Sequence, residues 1–319
     1  MPTFRRDLPS SRAVRRTDLA TSSESSSIRP SSLMRVAVAS GKGGTGKTTV
    51  ATSLAGELAS RGEKVAYIDC DVEAPNGHIF MRPSITASMP VEVPVPLFDD
   101  AKCTGCGKCC EVCRFNALAC LKDRVLAFHE LCHGCGACSM VCPAGAVTET
   151  TRSIGLVESG TAGAVDFLGG KLSVGEPMAT PVIRALLKRM PEDGVAVLDA
   201  PPGASCPVVE TISSADLVLL VAEPTPFGLN DLAIAVETVR KLGVPAGVVV
   251  NRSGAGDGRL VEYCAREGLP VLAVIPDDRK IAEAYARGVM PAHVHDEFAR
   301  IIGRLAGAVL SEGVGIGAA

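Results

Sequence analysis

The chain has 319 residues, 47% of them hydrophobic, with a formal net charge of −3. That is enough apolar chain for a globular protein of two or three domains. Aromatics make up only 3% and Trp is absent, which with the acidic balance argues against a base-stacking or broadly basic nucleic-acid surface, and no apolar run reaches the length of a membrane span.

Residues 1–33 are rich in Ser and Arg, poor in large apolar residues and without period. They read as a disordered extension. Two other readings stay open. One is an organelle transit peptide, against which Asp7, Asp18 and Glu24 count. The other is a start assigned too early, with Met34 as the true first residue. The short β-branched run Arg35–Ala39 then reads as a strand and Val50–Ala59 as a helix. Between them, Gly41, Lys42, Gly43, Gly44, Thr45, Gly46, Lys47, Thr48 and Thr49 fit the phosphate-loop pattern G-x-x-x-x-G-K-[ST]. Glycines let backbone N–H groups close on phosphate oxygens, and the helix N-terminus adds partial positive charge. Lys47 is placed to reach the β- and γ-phosphates, and the Thr48 hydroxyl to hold Mg²⁺.

Lys42, directly after the first glycine, is a second lysine that an ordinary phosphate loop lacks. On these residues the loop resembles the deviant phosphate loop of the MinD/ParA superfamily, which includes nitrogenase iron protein and the Mrp-type cluster carriers. The resemblance implies a homodimer with nucleotide at the interface, Lys42 reaching across to the partner's phosphates.

The strand at 64–69 runs into Asp69, Cys70, Asp71, Val72, Glu73, Ala74, Pro75 and Asn76. Strand ends of this kind face the ligand in parallel α/β sheets. The stretch looks like the family's first switch. The resemblance gives Asp71 the water-orienting role and Asp69 a supporting place near Mg²⁺; capping a neighbouring helix is the alternative for each. Residues 82–98, with Pro83, Pro90, Pro94 and Pro96, read as an extended connector.

Next come two runs of cysteines. Cys103, Cys106, Cys109 and Cys113 are followed by Cys132, Cys135, Cys138 and Cys142, each 29 residues after its counterpart, and Ala117 and Ala146 repeat at the same offset. This is the duplicated spacing of a bacterial two-cluster ferredoxin, in which the fourth cysteine of each run ligates the other [4Fe–4S] cube. Cluster one would take Cys103, Cys106, Cys109 and Cys142. Cluster two would take Cys132, Cys135, Cys138 and Cys113. Zinc sites favour two pairs rather than two such quartets. Arg114 stands where the first run would usually carry Pro. Cys110 and Cys120 fall outside the pattern, and His129 and His133 read as surface or turn residues. Thirteen cysteines used this way suit a reducing cytoplasm, not a disulfide framework.

Residues 153–158 and 164–168 read as a hairpin leading back to the main sheet, and Pro181–Met190 as a helix. The apolar run 195–198 delivers Asp199 toward the Mg²⁺ shell as a Walker B-like strand, a helix cap being the alternative. Pro201, Pro202 and Gly203 begin a loop like the family's second switch, where a glycine amide senses the γ-phosphate. Cys206 beyond it reads as a small buried residue. Residues 217–223 read as a strand, followed by a helix through Lys241; 247–250 and 269–275 are two further strands. The family resemblance lets Asn251 and Arg252 read adenine and the backbone at Pro276 and Asp277 flank it. ATP/ADP is favoured over guanine nucleotides because the Asn-Lys-x-Asp reader of GTPases is missing. In 296–310, Phe298, Ile301, Ile302, Leu305, Val309 and Leu310 share one face and read as core packing, not membrane contact.

Alternating strands and helices imply an α/β fold: a parallel sheet covered by helices on both faces, split into 34–95 and 151–319 by a ferredoxin-like insert at 96–150. The leading expectation is a Mg²⁺-dependent ATPase coupled to electron transfer through two [4Fe–4S] clusters, working with a redox partner protein or a related ATPase subunit. The first alternative is a cluster carrier of the Mrp type. It is weakened because Cys206 and Cys264 stand alone, with no Cys-x-x-Cys in the C-terminal half. A positioning ATPase for membranes or chromosomes is the second alternative, disfavoured by the acidic balance.

Overall fold

A computed structural model describes residues 33–122, 124–254 and 258–312. Residues 1–32 lie outside them, and with them the reading of the N-terminal extension.

In chain order the elements are β1 (Met34–Ala39), α1 (Lys47–Ser60), β2 (Val65–Asp69), α2 (Gly77–Met81), β3 (Ser84–Phe98), α3 (Lys108–Val112), β4 (Leu118–Cys120), β5 (Val125–Ala127), α4 (Ala137–Val141), β6 (Val147–Ala162) and β7 (Val165–Leu172). They continue as α5 (Thr180–Leu187), β8 (Val195–Asp199), α6 (Cys206–Ile212), β9 (Leu217–Ala222), α7 (Pro226–Leu242), β10 (Ala246–Ser253), α8 (Arg259–Arg266), β11 (Val271–Pro276), α9 (Arg279–Ala286) and α10 (Asp296–Glu312).

Among the described residues, nine strands form one sheet in the order β11-β10-β9-β1-β8-β2-β7-β6-β3. From β11 to β7 every pairing is parallel. The central strands β1, β2, β8 and β9 are runs of Val, Ile, Leu and Ala buried on both faces, as a helix-covered parallel sheet requires. Two apolar layers result. Ile183, Leu186, Ile212, Val236 and Leu260 cover one face. Leu54, Leu58, Phe298, Ile302 and Leu305 cover the other. The C-terminal helix α10 thus packs into the core as its apolar face predicts: Phe298, Ile302 and Leu305 are at most 1% exposed.

The sheet departs from the predicted all-parallel form at one edge. Strand β6 runs antiparallel to β7, and β3 antiparallel to β6. The proline-bearing stretch read as a connector is therefore a 15-residue strand. Val91, Val93 and Val95 face inward while Glu92, Pro94 and Pro96 alternate with them. On an edge strand alternate N–H groups point away from the partner, so prolines in that phase forfeit no ladder bond. The predicted hairpin exists as β6–β7, but β6 is longer than expected and starts five residues after Cys142. The junctions at 96 and 150 fall inside β3 and β6, so the cysteine module and the main sheet share two strands. The helix predicted over 181–190 is α5, ending at Leu187.

Candidate functional site

The phosphate loop connects β1 to α1. Gly46 caps α1 at φ 94°, in the left-handed region, and a Cβ built there would lie 2.3 Å from Asn251 Nδ2. Only glycine meets both conditions. The Asn251 amide donates to Thr45 O at 2.7 Å, which fastens the loop to the end of β10. Arg252 follows at φ 55°, and its N–H donates to Asn251 Oδ1 at 3.0 Å.

A cleft opens over the loop. Its walls bring together Gly43, Gly44, Gly46, Lys47, Thr48 and Thr49 with Asp71, Asn251, Arg252, Pro276 and Asp277, which are far apart in sequence. Asn76, the last residue of the first-switch stretch, also lines it, as does Tyr285, which was unforeseen from the sequence. Gly203 is not among the lining residues; its N–H donates to Ser40 O at 3.0 Å, leaving Pro202 at the wall.

Beneath the cleft lies a buried acidic pair. Asp69 and Asp199 sit in register on β2 and β8, and both are fully buried. Asp69 accepts from the Gly77 N–H at 2.9 Å and the Asp71 N–H at 3.3 Å. Asp199 Oδ2 accepts from the Tyr67 hydroxyl at 2.9 Å, while its Oδ1 has no hydrogen-bond partner among the described residues. Tyr67 itself is fully buried and was not foreseen as a site residue. Burial pushes the Asp69 carboxyl well above the usual carboxylate range, and the Asp199 charge adds to this. Burial pushes Asp199 up to about 6 against the pull of Thr48, Lys47 and Tyr67. Burial raises Asp71 as well, with Lys47 opposing. Lys47, 7% exposed, is lowered by desolvation, against Asp199 and Asp71.

An unpartnered buried carboxylate oxygen beside the Thr48 hydroxyl is a pair of hard oxygen donors, which suits Mg²⁺ bound partly through water. This predicts an effect on stability. Folded Asp199 holds its proton up to about pH 6, whereas its unperturbed value is 3.8. A raised acid destabilises the folded state as pH climbs through this window, and fully above it. Asp199→Asn is therefore expected to stabilise the nucleotide-free chain by about 3 kcal/mol at pH 8 and not at pH 4. If the cleft takes Mg²⁺ with a nucleotide, adding the two should raise the melting temperature of the wild type and not of this variant. Thermal denaturation at the two pH values measures both.

Lys42 does not point to the cleft. Its ammonium pairs with Glu223 Oε2 at 3.2 Å, and the buried Glu223 also receives Arg252 on its other oxygen. Glu223, at the end of β9, went unnoticed in the sequence because nothing local marks it.

The second group of candidate residues lies where β3 ends and β6 begins. The duplicated spacing becomes duplicated structure: α3 and α4 start at Gly107 and Gly136, both left-handed, and Ala117 and Ala146 are both buried. Burial raises the Cys109 thiol, and Cys103 and Cys106 are close enough to add to it. Burial raises Cys138 likewise, with contributions from Cys132 and Cys135. One pocket is lined by Cys132, Cys135, Cys138 and Cys113 together, the crossed set expected from the spacing. The Gly134 N–H points to Cys132 Sγ at 3.4 Å and the Ala146 N–H to Cys142 Sγ at 3.3 Å. His129 bonds Pro96 O at 3.0 Å, and His133 stacks on Phe115 at the wall of the same pocket. Cys206 is exposed, not buried as read, and Cys264 is buried. The cysteines are not all thiols: Cys110 and Cys120 form a disulfide, because β4 folds back beside α3 and brings their Cα atoms to 6.2 Å.

A model of the CobQ/CobB/MinD/ParA nucleotide binding domain matches residues 36–292. Two uncharacterized proteins of Methanocaldococcus jannaschii are similar: MJ0578 is 33% identical over 224 residues, 70% of this chain and 79% of that protein. MJ0579 is 31% identical over 261 residues, 81% of this chain and 91% of that protein. An iron-sulfur cluster carrier protein of Pyrococcus horikoshii is 26% identical over 276 residues, 80% of this chain and 78% of its own. Among solved structures, the septum site-determining protein MinD complexed with Mg-ADP from Pyrococcus horikoshii matches in fold, with TM-score 0.55 and 20% identity over 90% of this chain and 99% of that one. Among the described residues no helix is long and apolar enough to cross a membrane.

Proposed function

The chain belongs to the CobQ/CobB/MinD/ParA nucleotide-binding family, and from that premise we propose that it is a Mg²⁺-dependent ATPase whose nucleotide state is coupled to two [4Fe–4S] clusters in the cysteine module. The observation that carries the coupling is a run of strand pairings between the two sites, with one register shift on the way, between Val91 and Glu92. Val72, one residue past Asp71, accepts from the Leu172 N–H at 2.8 Å. Leu172 pairs with Gly155 on β6, and Gly155 with Val91 on β3. The same two strands continue to the Phe98–Val147 pair at the mouth of the module. Movement of the first switch therefore pulls on the strands that carry the cysteines.

At the nucleotide, Lys47 and the loop amides hold phosphate, Thr48 and Asp199 hold the cation, and Tyr67 orients Asp199. Bound Mg²⁺ offsets phosphate charge. Asp71 orients a water, and Asn251, Arg252 and the backbone at Pro276 and Asp277 hold adenine. The active form is a homodimer in which Lys42 leaves Glu223 for the partner's phosphates. Asp71→Asn is expected to lower ATP hydrolysis by about 10²–10³-fold while ADP affinity holds. Phosphate release and calorimetric titration check the two halves; an equal loss in both would take Asp71 out of the water-orienting role.

In the module, Cys103, Cys106, Cys109 and Cys142 hold one cube, and Cys132, Cys135, Cys138 and Cys113 the other. Bound clusters supply one-electron chemistry. Similarity to the Pyrococcus horikoshii carrier supports a second reading, delivery of clusters to other proteins. Cys206 and Cys264 differ in exposure and sit on separate helices, which makes a poor transfer pair. Mixing loaded protein with an apo-ferredoxin separates the two: retention of iron supports electron transfer, and rapid handover supports the carrier.

A further inference from the structure

We propose that the Cys110–Cys120 disulfide is a redox centre that takes two electrons from the neighbouring cluster and exchanges them with an external disulfide. The inference rests on the reading of the cysteine module as cluster-bearing. Three sulfurs carry it. Cys109, a ligand in that reading, lies 3.9 Å from Cys120 Sγ and is the chain neighbour of Cys110. All three sulfurs fall within 4.8 Å of one another. Cys109 is buried, Cys110 half-buried and Cys120 exposed, so the three step outward from the cluster to solvent. A structural staple has no need of a cluster ligand at contact distance or of a sulfur at the surface.

The step balances as follows. Two single electrons, each from a one-electron-reduced [4Fe–4S] cluster returning to its oxidised state, break the S–S bond. Two protons from solvent complete the Cys110 and Cys120 thiols. Cys120, as thiolate, then attacks one sulfur of an external disulfide and expels the other as a thiol. Cys110 attacks Cys120 in the mixed disulfide, restores the internal bond and releases the second thiol. The net reaction reduces one external disulfide with two electrons and two protons. Of the two sulfurs, the exposed one attacks and the half-buried one resolves.

The test uses the full chain with its clusters assembled anaerobically and a photoreduced deazaflavin as one-electron donor. The wild type is expected to take up about four electrons per chain and C110S/C120S about two, at equal iron content. Iodoacetamide trapping and peptide mass spectrometry follow the bond itself. Cys110 and Cys120 should both be alkylated in the iron-loaded wild type. They should be alkylated at least about tenfold more slowly after the iron has been stripped by a chelator. Glutathione disulfide should then re-form the bond in the wild type and remain attached to Cys120 in C110S. Equal electron counts, an intact disulfide in the iron-loaded chain, equal rates with and without iron, or no adduct on Cys120 would overturn the relay while leaving the clusters standing. A chain that takes up no iron would overturn the cluster reading, and the relay with it.

Discussion

Lys47→Ala is expected to lower ATP hydrolysis by at least about 10³-fold and to weaken nucleotide binding with it. Lys47 is the cation buried between the phosphate loop and the carboxylates below. Its ammonium, 7% exposed, has already lost most of its water, and Asp199 and Asp71 hold its charge in place. A desolvated cation has nothing to give up when phosphate arrives, so its attraction is little screened. Truncation to Ala removes that charge and leaves Asp71 at the cleft wall and Asp199 beneath it without their cation. Calorimetric titration with ADP and a phosphate-release assay measure both effects. Lys42→Ala is the contrast. Lys42 pairs with Glu223 in the single chain, so its loss should leave ADP binding intact and remove dimer-dependent hydrolysis.

Cys113→Ser should lower iron from about eight to about four atoms per chain and abolish one of two reduced-cluster signals. Cys113 lies in the first run, yet it lines the cavity with Cys132, Cys135 and Cys138 of the second. Under the proposed crossed ligation, loss of its thiolate strikes the second cube and spares the set of Cys103, Cys106, Cys109 and Cys142. Cys142→Ser should do the reverse. Iron analysis and electron paramagnetic resonance of the two variants distinguish crossed ligation from ligation within each run, under which the two phenotypes would be exchanged. Zinc in place of iron would show in the same analysis as metal without sulfide.

The sites were legible in the sequence wherever chemistry demands fixed local spacing. The phosphate loop needs glycines at set positions between a strand and a helix, and the cysteine runs need short turns. Both patterns are carried by neighbours along the chain. The residues that were missed act across it. Tyr67 reaches Asp199 over 132 residues, and a tyrosine in an apolar strand reads as packing. Glu223 meets Lys42 and Arg252 only once β9, β1 and β10 lie side by side. The edge strand β3 was obscured by its prolines, which usually mark connectors; the alternation of Val91, Val93 and Val95 with polar or proline positions was the signal that could have identified it. The pairing of Cys110 with Cys120 depends on the turn of β4 against α3, which no spacing rule encodes.

The run of strand pairings from Val72 to Val147 makes one claim above the others: nucleotide and clusters sense each other. An electron paramagnetic resonance redox titration of the iron-loaded chain, with ADP and then with a non-hydrolysable ATP analogue, tests it directly. The midpoint potential of at least one cluster is expected to differ between the two by about 60 mV, a tenfold coupling for one electron. Superimposable titrations, with ATP turnover the same on oxidised and reduced clusters, would contradict it.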